Sequence, residues 1–358
     1  MKEKKQTNLL FVTCGSNALG CGHINRCISI AKAINNSMTA SFFLFGDNTA
    51  DSILKSSGCE YQISSIENCN QISSNKRFEE ALKSADIIIA DLIHPQFFSD
   101  KKNIDIFEVM INSKAKVAAI DALGEKTLLN YSPDLLFDFF VLPYCLTEEQ
   151  SQSAYGIGKQ QLLGPEYVIL SPEYTDLPVR KHRKNANRVL VTCGGSDPKS
   201  WSNNILNSLE NINRKLEIRI IIGPLFEPEL ITSISKLAEH SKHNVEPINS
   251  PETLVSNMLW ADIAITSSGL TKYELAATGT PTILFSIDKN HHDSNQSFDD
   301  THIAHNLGVA PSSEKISEIT SRLLDDDLIR LEVANKRQNI FDGNGAKRLL
   351  EEFTKELQ

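Results

Sequence analysis

"RVLVTCGGSD", Arg188 to Asp197, repeats in the second half of the chain the shape of "LLFVTCGSN", Leu9 to Asn17, near its start. Each stretch is an apolar run that ends in a glycine-bearing turn. A continuous apolar run bounded by turn residues marks a strand covered on both faces. Outward from both copies the alternation continues. In the first half "NLLFVTC" (Asn8–Cys14), "TASFFLFG" (Thr39–Gly46), "ADIIIADLI" (Ala85–Ile93) and "KVAAID" (Lys116–Asp121) read as buried strands. Helical patterns lie between them, among them His23 to Ile34 with Ile24, Cys27, Ile28 and Ala31 on one face. In the second half "LEIRIIIGP" (Leu216–Pro224), "ADIAITSSG" (Ala261–Gly269) and "TPTILFS" (Thr280–Ser286) repeat the pattern.

The class these patterns imply is α/β: two facing Rossmann-like domains with parallel sheets and a ligand cleft between them, at the carboxyl ends of the strands. The expected boundaries are an N-terminal domain over 1–165, a linker over 166–187 and a C-terminal domain over 188–358, with the last helix packing back on the first domain. The linker follows from "GPEYVILSPEYTDLPVRKHRKNANR" (Gly164–Arg188), which holds three prolines and then a basic cluster, read as a solvated surface turn.

Composition narrows the function. A chain of 358 residues is too long for one ordinary core. Its 41% hydrophobic and 23% charged residues are those of a folded globular protein. A net charge of −9 argues against a nucleic-acid partner. The cysteines are Cys14, Cys21, Cys27, Cys59, Cys69, Cys145 and Cys193, seven in all and with no C-x-x-C pair. That pattern fits neither a disulfide framework nor a zinc site, and it suits a reducing cytoplasm. The first apolar run is too short for a signal peptide, and no run reaches the length of a membrane span.

The chemistry lies in the loops. In "GCGHINRC" (Gly20–Cys27), Gly20 and Gly22 let backbone approach a ligand. A P-loop is excluded because no Gly-Lys-Ser/Thr follows. A nicotinamide fingerprint is met by Gly20, Gly22 and the Asp47 that ends the second strand, but Asn25 stands where its third glycine belongs. The remaining reading uses His23. At the first turn of a helix its cation is disfavoured, and a neutral imidazole is a general base for water or a hydroxyl. The alternative is a capping histidine that only hydrogen-bonds the loop. Arg26, one turn on, either binds a substrate carboxylate or phosphate or pairs with a neighbouring acid.

In the second half, Gly194, Gly195 and Ser196 of "CGGSDP" offer amides and a hydroxyl to a phosphate, or form a tight turn with Asp197 capping the next helix. Within "TSSGLTKYELAATGTP" (Thr266–Pro281), Ser267, Ser268 and Gly269 close a strand and open a helix, an anion site suited to a diphosphate. Glu274, about one and a half turns into that helix, either takes the two hydroxyls of a ribose or is a surface glutamate without a role. "DKNHHDSNQSFDDTHIAHNLG" (Asp288–Gly308) holds His291, His292, His302 and His305. The H-x-x-x-H spacing of a metal site is lacking, so a polar loop leading into a helix that reaches the sugar is expected, with no metal.

These residues carry a resemblance. "GCGHINRC" resembles the G-x-G-H-x-x-R-C signature of the UDP-sugar hydrolases of pseudaminic acid biosynthesis. "GGSDP", the Gly223–Pro224 pair, "SSGLTKYELAATGTP" and Asn295–Gln296 extend the similarity over nearly the whole chain. The C-terminal pattern is also similar to that of the peptidoglycan UDP-N-acetylglucosamine transferase. Both families imply a GT-B fold with UDP held mainly by the C-terminal domain. The resemblance implies that His23 activates water at the anomeric carbon, beside Gly20, Gly22 and Arg26. It implies that Ser267, Ser268 and Gly269 hold the diphosphate, Glu274 the ribose, and Asn295 and Gln296 the sugar or ribose, with Gly194, Gly195 and Ser196 closing around the phosphates. It implies a UDP-sugar as partner, and neither cofactor nor metal.

The chain departs from the hydrolase pattern on the sugar side. Thr13, Cys14 and Gly15 replace an R-x-D element, Asp91 is followed by Leu92 rather than tyrosine, and Asp121–Ala122 replaces an acidic pair. The expected reaction is metal-independent, inverting hydrolysis of a UDP-linked N-acetylated deoxy sugar, in the biosynthesis of a nonulosonic acid. The alternatives are an inverting GT-B glycosyltransferase, with His23 deprotonating an acceptor hydroxyl, and a non-catalytic nucleotide-sugar-binding protein.

Overall fold

The computed structural model describes residues 6–16, 19–65, 75–93, 104–123, 127–128, 135–178, 180–299 and 304–355. The chain divides into two compact units, Met1–Pro172 with Gly343–Gln358, and Glu173–Asp342.

In the first unit β1 (Thr7–Gly15), α1 (Gly22–Lys32), β2 (Met38–Gly46), α2 (Asn48–Ser57), β3 (Glu60–Ser64), α3 (Lys76–Ser84), β4 (Ile87–Asp91), α4 (Ile104–Ile111), β5 (Lys116–Ile120), β6 (Phe139–Leu142), α5 (Glu148–Ser153) and β7 (Gln160–Leu163) follow in order. The strands form one sheet, β3-β2-β1-β4-β5-β6-β7, and every pairing is parallel. One face of the sheet, with Phe11, Phe42, Ile89, Ala118 and Phe139, packs on Ile24, Cys27, Ile28 and Ala31 of α1. Phe11 and Phe42 stack at 4.7 Å across adjacent strands. Asp47 does not wait for a ribose. Its Oδ1 accepts from the amides of Thr49 and Ala50 at 3.0 and 3.2 Å and so caps α2, which removes the acid from the nicotinamide reading.

The second unit repeats the plan with β8 (Arg188–Thr192), α6 (Trp201–Leu209), β9 (Glu217–Ile222), α7 (Pro228–His240), β10 (Asn244–Asn249), α8 (Val255–Trp260), β11 (Ile263–Thr266), α9 (Thr271–Ala277), β12 (Thr282–Ser286), α10 (Lys289–Asp299), β13 (Ala304–Val309), α11 (Ser313–Asp325) and α12 (Asp327–Ile340). Its sheet runs β10-β9-β8-β11-β12-β13, again all parallel. The last helix, α13 (Gly345–Lys355), belongs to the first unit, where Phe353 meets Phe139 with ring centres 5.0 Å apart. A side chain at Gly345 would collide with the Val168 carbonyl, so only glycine admits this approach.

Two expectations change. The stretch from Asp288 to Gly308 is not a loop before a helix: α10 starts at Lys289, and β13 occupies the end of the stretch as an edge strand. The basic cluster is not a free surface turn. Arg180 donates to the Met258 carbonyl and to Thr280, Arg183 lies 3.6 Å from Asp262, and Arg330 holds the Arg183 and Lys184 carbonyls at 3.0 Å each. The break between the units falls at Pro172–Glu173, within the span 166–187 expected as the linker.

Candidate functional site

In each sheet the strand order reverses beside the first strand, between β1 and β4 and between β8 and β11. Such a switch point opens a crevice at the carboxyl ends of the strands. The glycine loops leave from these places.

In the first unit, the turn after β1 is closed by the Ser16 amide on the Gly20 carbonyl at 3.3 Å. It delivers His23 in the first turn of α1 and Arg26 one turn later, both buried. Across the switch, the last residue of β4 is Asp91, with 0% of its surface exposed. His23 Nδ1 lies 2.6 Å from Asp91 Oδ1. Arg26 grips the same carboxylate with two bonds, Nε to Oδ2 at 2.8 Å and Nη2 to Oδ1 at 2.7 Å. Its Nη1 donates to the Tyr144 hydroxyl.

Burial works against the Asp91 charge, but Arg26 first and then His23 outweigh it and hold the carboxyl down at about 2. An ionised carboxylate only accepts hydrogen bonds, so His23 Nδ1 carries a proton toward Asp91, and in the neutral imidazole the lone pair is on Nε2. The approach of Arg26 Nη2 to Nδ1 at 3.0 Å is therefore a packing contact and not a hydrogen bond. This is the base-and-orienter geometry found in an acyl-transfer triad. Arg26 is a correction. Three of its five N–H donors go to Asp91 and Tyr144, so the pairing with a neighbouring acid is what its hydrogen bonds show.

In the second unit, the turn after β8 leaves Gly195 and Ser196 exposed and Gly194 half-buried. Gly223 packs beneath this turn, where a Cβ would overlap the carbonyls of Gly194 and Gly195. The Leu225 amide ties the same place to the Gly195 carbonyl at 2.9 Å. Asp197 accepts from the amides of Trp201 and Ser202, each at 2.8 Å. The start of α6 is thus capped from within, the tight-turn reading of this loop.

The turn after β11 differs. Ser267 is buried, Gly269 sits at φ +116°, and the hydroxyls of Thr266 and Ser268 are buried without a hydrogen-bond partner. Buried polar atoms are nearly always paired, so such a cluster at the mouth of a switch point calls for a ligand. Glu274 is half-buried on α9. Burial first, then the charge of Glu173, push its carboxyl up to about 7 against hydrogen bonds from Tyr174 and Thr271.

Asn295 is the second correction. It is 0% exposed, donates to the Phe285 carbonyl and to Ser286 Oγ at 3.3 and 3.1 Å, and accepts from Lys272 Nζ at 3.2 Å. It braces α10 on β12 and α9 instead of facing a ligand. Gln296 is exposed. His291 pairs with Asp288 at 2.6 Å, Arg322 Nη2 lies 3.4 Å from His305, and His302 lies outside the described residues. Among the described residues there is no group of three histidine, cysteine or acidic side chains set to hold a metal, and no helix is long and apolar enough to cross a membrane.

The sequence reading missed four participants. Asp91 entered it only as a point of departure from a family pattern, and Tyr144, Lys272 and Tyr174 did not enter at all. Asp91 had a signal: a lone acid closing the otherwise apolar run "IIIAD" (Ile87–Asp91).

Residues 188–350 match the model of the glycosyltransferase family 28 C-terminal domain. The spore coat polysaccharide biosynthesis protein SpsG of Bacillus subtilis is 25% identical over 195 residues, 52% of this chain and 56% of that protein. The chain spans about half the length of the curated relatives it matches. Among solved structures, Acinetobacter baumannii MurG superposes with a TM-score of 0.68 at 14% identity, over 98% of this chain and 99% of that one. The UDP-GlcNAc 2-epimerase of Neisseria meningitidis, bound to UDP-GlcNAc, gives 0.63 at 16% identity over 98% of this chain and 100% of its own. The fold is therefore GT-B-like: two Rossmann-like α/β units with parallel sheets of seven and six strands.

Proposed function

We propose that this protein hydrolyses the anomeric C–O bond of a UDP-linked N-acetylated deoxy sugar and releases UDP with inversion, as a step toward a nonulosonic acid. The observation that carries the reading is the buried Asp91–His23 pair, with its proton on Nδ1. Water attacks the anomeric carbon opposite the diphosphate. His23 Nε2 takes the water's proton, and the Asp91 carboxylate stabilises the imidazolium that forms. The C–O bond breaks with its electrons on the β-phosphate oxygen of UDP.

The second unit holds that leaving group. The hydroxyls of Ser267 and Ser268, with the amides of Gly269, Gly194, Gly195 and Ser196, meet the developing charge, so no strong acid is required. Glu274 takes the ribose hydroxyls, and Gln296 binds the sugar or the ribose. Cys21, Cys27, Cys59 and Cys193 are free thiols, in keeping with a reaction in the cytoplasm.

A second reading, transfer of the sugar to an acceptor hydroxyl, is favoured by the glycosyltransferase family 28 match over residues 188–350. There His23 takes the acceptor's proton. The test is UDP release from a panel of UDP-sugars without acceptor and with EDTA present, for the wild type and His23→Ala. Hydrolysis predicts release that falls by about 10²–10⁴-fold in the variant. UDP binding without release in the wild type rejects hydrolysis in favour of transfer or a sensor. Equal release by both proteins rejects His23 as the base.

A further inference from the structure

One orphaned polar atom of the second unit lies on α10. His292 is half-buried near the start of that helix. Among the described residues its Nδ1 is buried without a hydrogen-bond partner, as are Thr266 Oγ1 and Ser268 Oγ. A buried ring nitrogen costs free energy unless something pairs with it, so a ligand atom is the missing neighbour.

The fold puts this nitrogen beside the turn after β11. Thr266, the last residue of β11, pairs in register with Leu284 of β12. β12 runs two residues further, to Ser286, so its end reaches the height of the Ser267–Ser268 turn. Asn295 of α10 donates to Ser286 Oγ at 3.1 Å. His292 lies three residues before Asn295, on the same face of the helix and one turn nearer its start. α10 joins two parallel strands, so its start lies at the carboxyl edge of the sheet. His292 therefore stands just outside Ser286, at the mouth of the crevice.

The two helices are locked together at this level. Lys272 of α9, 1% exposed, donates to the Ser294 carbonyl at 2.6 Å, to Ser294 Oγ at 3.0 Å and to Asn295 Oδ1 at 3.2 Å. It follows Ser268 by four residues, so one side chain holds the start of α10 to the helix that leaves the turn.

We propose that His292 binds the β-phosphate of the nucleotide sugar, donating from Nδ1. The proposal rests on the turn after β11 holding the diphosphate. The chemistry of the cluster fits an anion: two hydroxyls and a ring N–H all donate. Adjacent strand ends are ~4.8 Å apart, a span that two linked phosphates cover. The nucleoside end lies with Glu274 on α9, which leaves the β-phosphate on the α10 side. An imidazole carries hydrogen on either nitrogen, and the anion selects the form with hydrogen on Nδ1. The β-phosphate gains charge as the anomeric C–O bond breaks, so this donor acts more strongly on the transition state than on the bound substrate.

The experiment is calorimetric titration of the full chain with UDP and with UMP, which lacks the β-phosphate. The proteins are the wild type, His292→Ala, His292→Asn, His292→Gln and Ser268→Ala. The asparagine amide occupies the place of Nδ1, whereas the glutamine amide reaches the place of Nε2. The wild type binds UDP more tightly than UMP. His292→Ala and His292→Gln lose about 10–100-fold in UDP affinity, the range of a hydrogen bond to a charged group. His292→Asn keeps most of it. All three bind UMP as the wild type does, which reports an intact fold. Unchanged UDP affinity in His292→Ala, beside a loss in Ser268→Ala, overturns the proposal and leaves the diphosphate on the turn. An equal loss for UDP and UMP, or rescue by glutamine and not by asparagine, overturns it too. Equal affinity of the wild type for both nucleotides overturns the diphosphate reading and the proposal with it.

Discussion

The two switch points solve opposite problems with similar loops. In the first unit the charged groups satisfy one another: Asp91 takes His23 and the Nε–Nη2 edge of Arg26, and Arg26 reaches Tyr144, while the neighbouring Thr13 hydroxyl is buried without a partner. In the second, two hydroxyls of the turn after β11 are buried without partners, and Glu274 is pushed toward neutrality. The charged groups of the first site close on one another, while the second keeps two unpaired hydroxyls beside a raised carboxyl. A complete network keeps a reactive group in one tautomer and one orientation, which suits a base. An incomplete one holds hydrogen-bonding capacity in reserve and converts ligand binding into stability.

The contrast breaks most readily at Asp91. Asp91→Ala leaves the Arg26 guanidinium buried without its carboxylate, an effect of about 3–5 kcal/mol on unfolding. Urea titration should show the early loss of the first unit, and an unchanged midpoint would mean that the knot contributes nothing. Ser268→Ala sharpens the other side. Its hydroxyl has no partner to lose, so the variant should unfold like the wild type without nucleotide. Its UDP affinity should fall about 10–100-fold, the scale of a hydrogen bond to a charged oxygen. Equal UDP affinity would remove the anion site from this turn.

The smallest effect is at Glu274. Its carboxyl titrates near 7 when folded and near ~4.3 when unfolded. Below ~4.3 both states are neutral and the group is without effect. As the pH rises from there to about 7 the unfolded chain ionises first, so the folded state loses stability, and the full cost stands above 7. Glu274→Gln should therefore melt a few degrees higher at pH 8 and level with the wild type at pH 4. A lower melting temperature at pH 8 would show that Glu274 supports the unliganded fold.

What could be read from residues alone follows the same divide. Central strands were legible because burial on both faces makes them continuously apolar, as in "IIIAD" and "RVLVT". The edge strands β3 and β10 were not, because one side of each faces water and their patterns are half polar; β10 even carries Pro247, which a sheet tolerates at its edge. β6 was hidden by Asp138 just before it, whose carboxylate in fact accepts from the Val117 amide at 2.9 Å on the neighbouring strand. His23 stood out because glycines flank it. Its partner is 68 residues away and becomes adjacent only through the strand order. Arg26 and Asn295 looked like ligand contacts for a related reason: a polar side chain shows its type in the sequence, but its partners depend on packing.

The helix α13 also bears on how the protein is made. Phe353 covers Phe139, and Gly345 lies against Val168, yet α13 is translated only after the whole second unit. At about 5–20 residues per second, the ribosome needs roughly 10–40 s to pass from Pro172 to that helix. Throughout this interval the nascent first sheet has part of one apolar face bare. The sheet emerging first is thus the last to be sealed, and its exposed aromatic face is where a chaperone would be expected to wait.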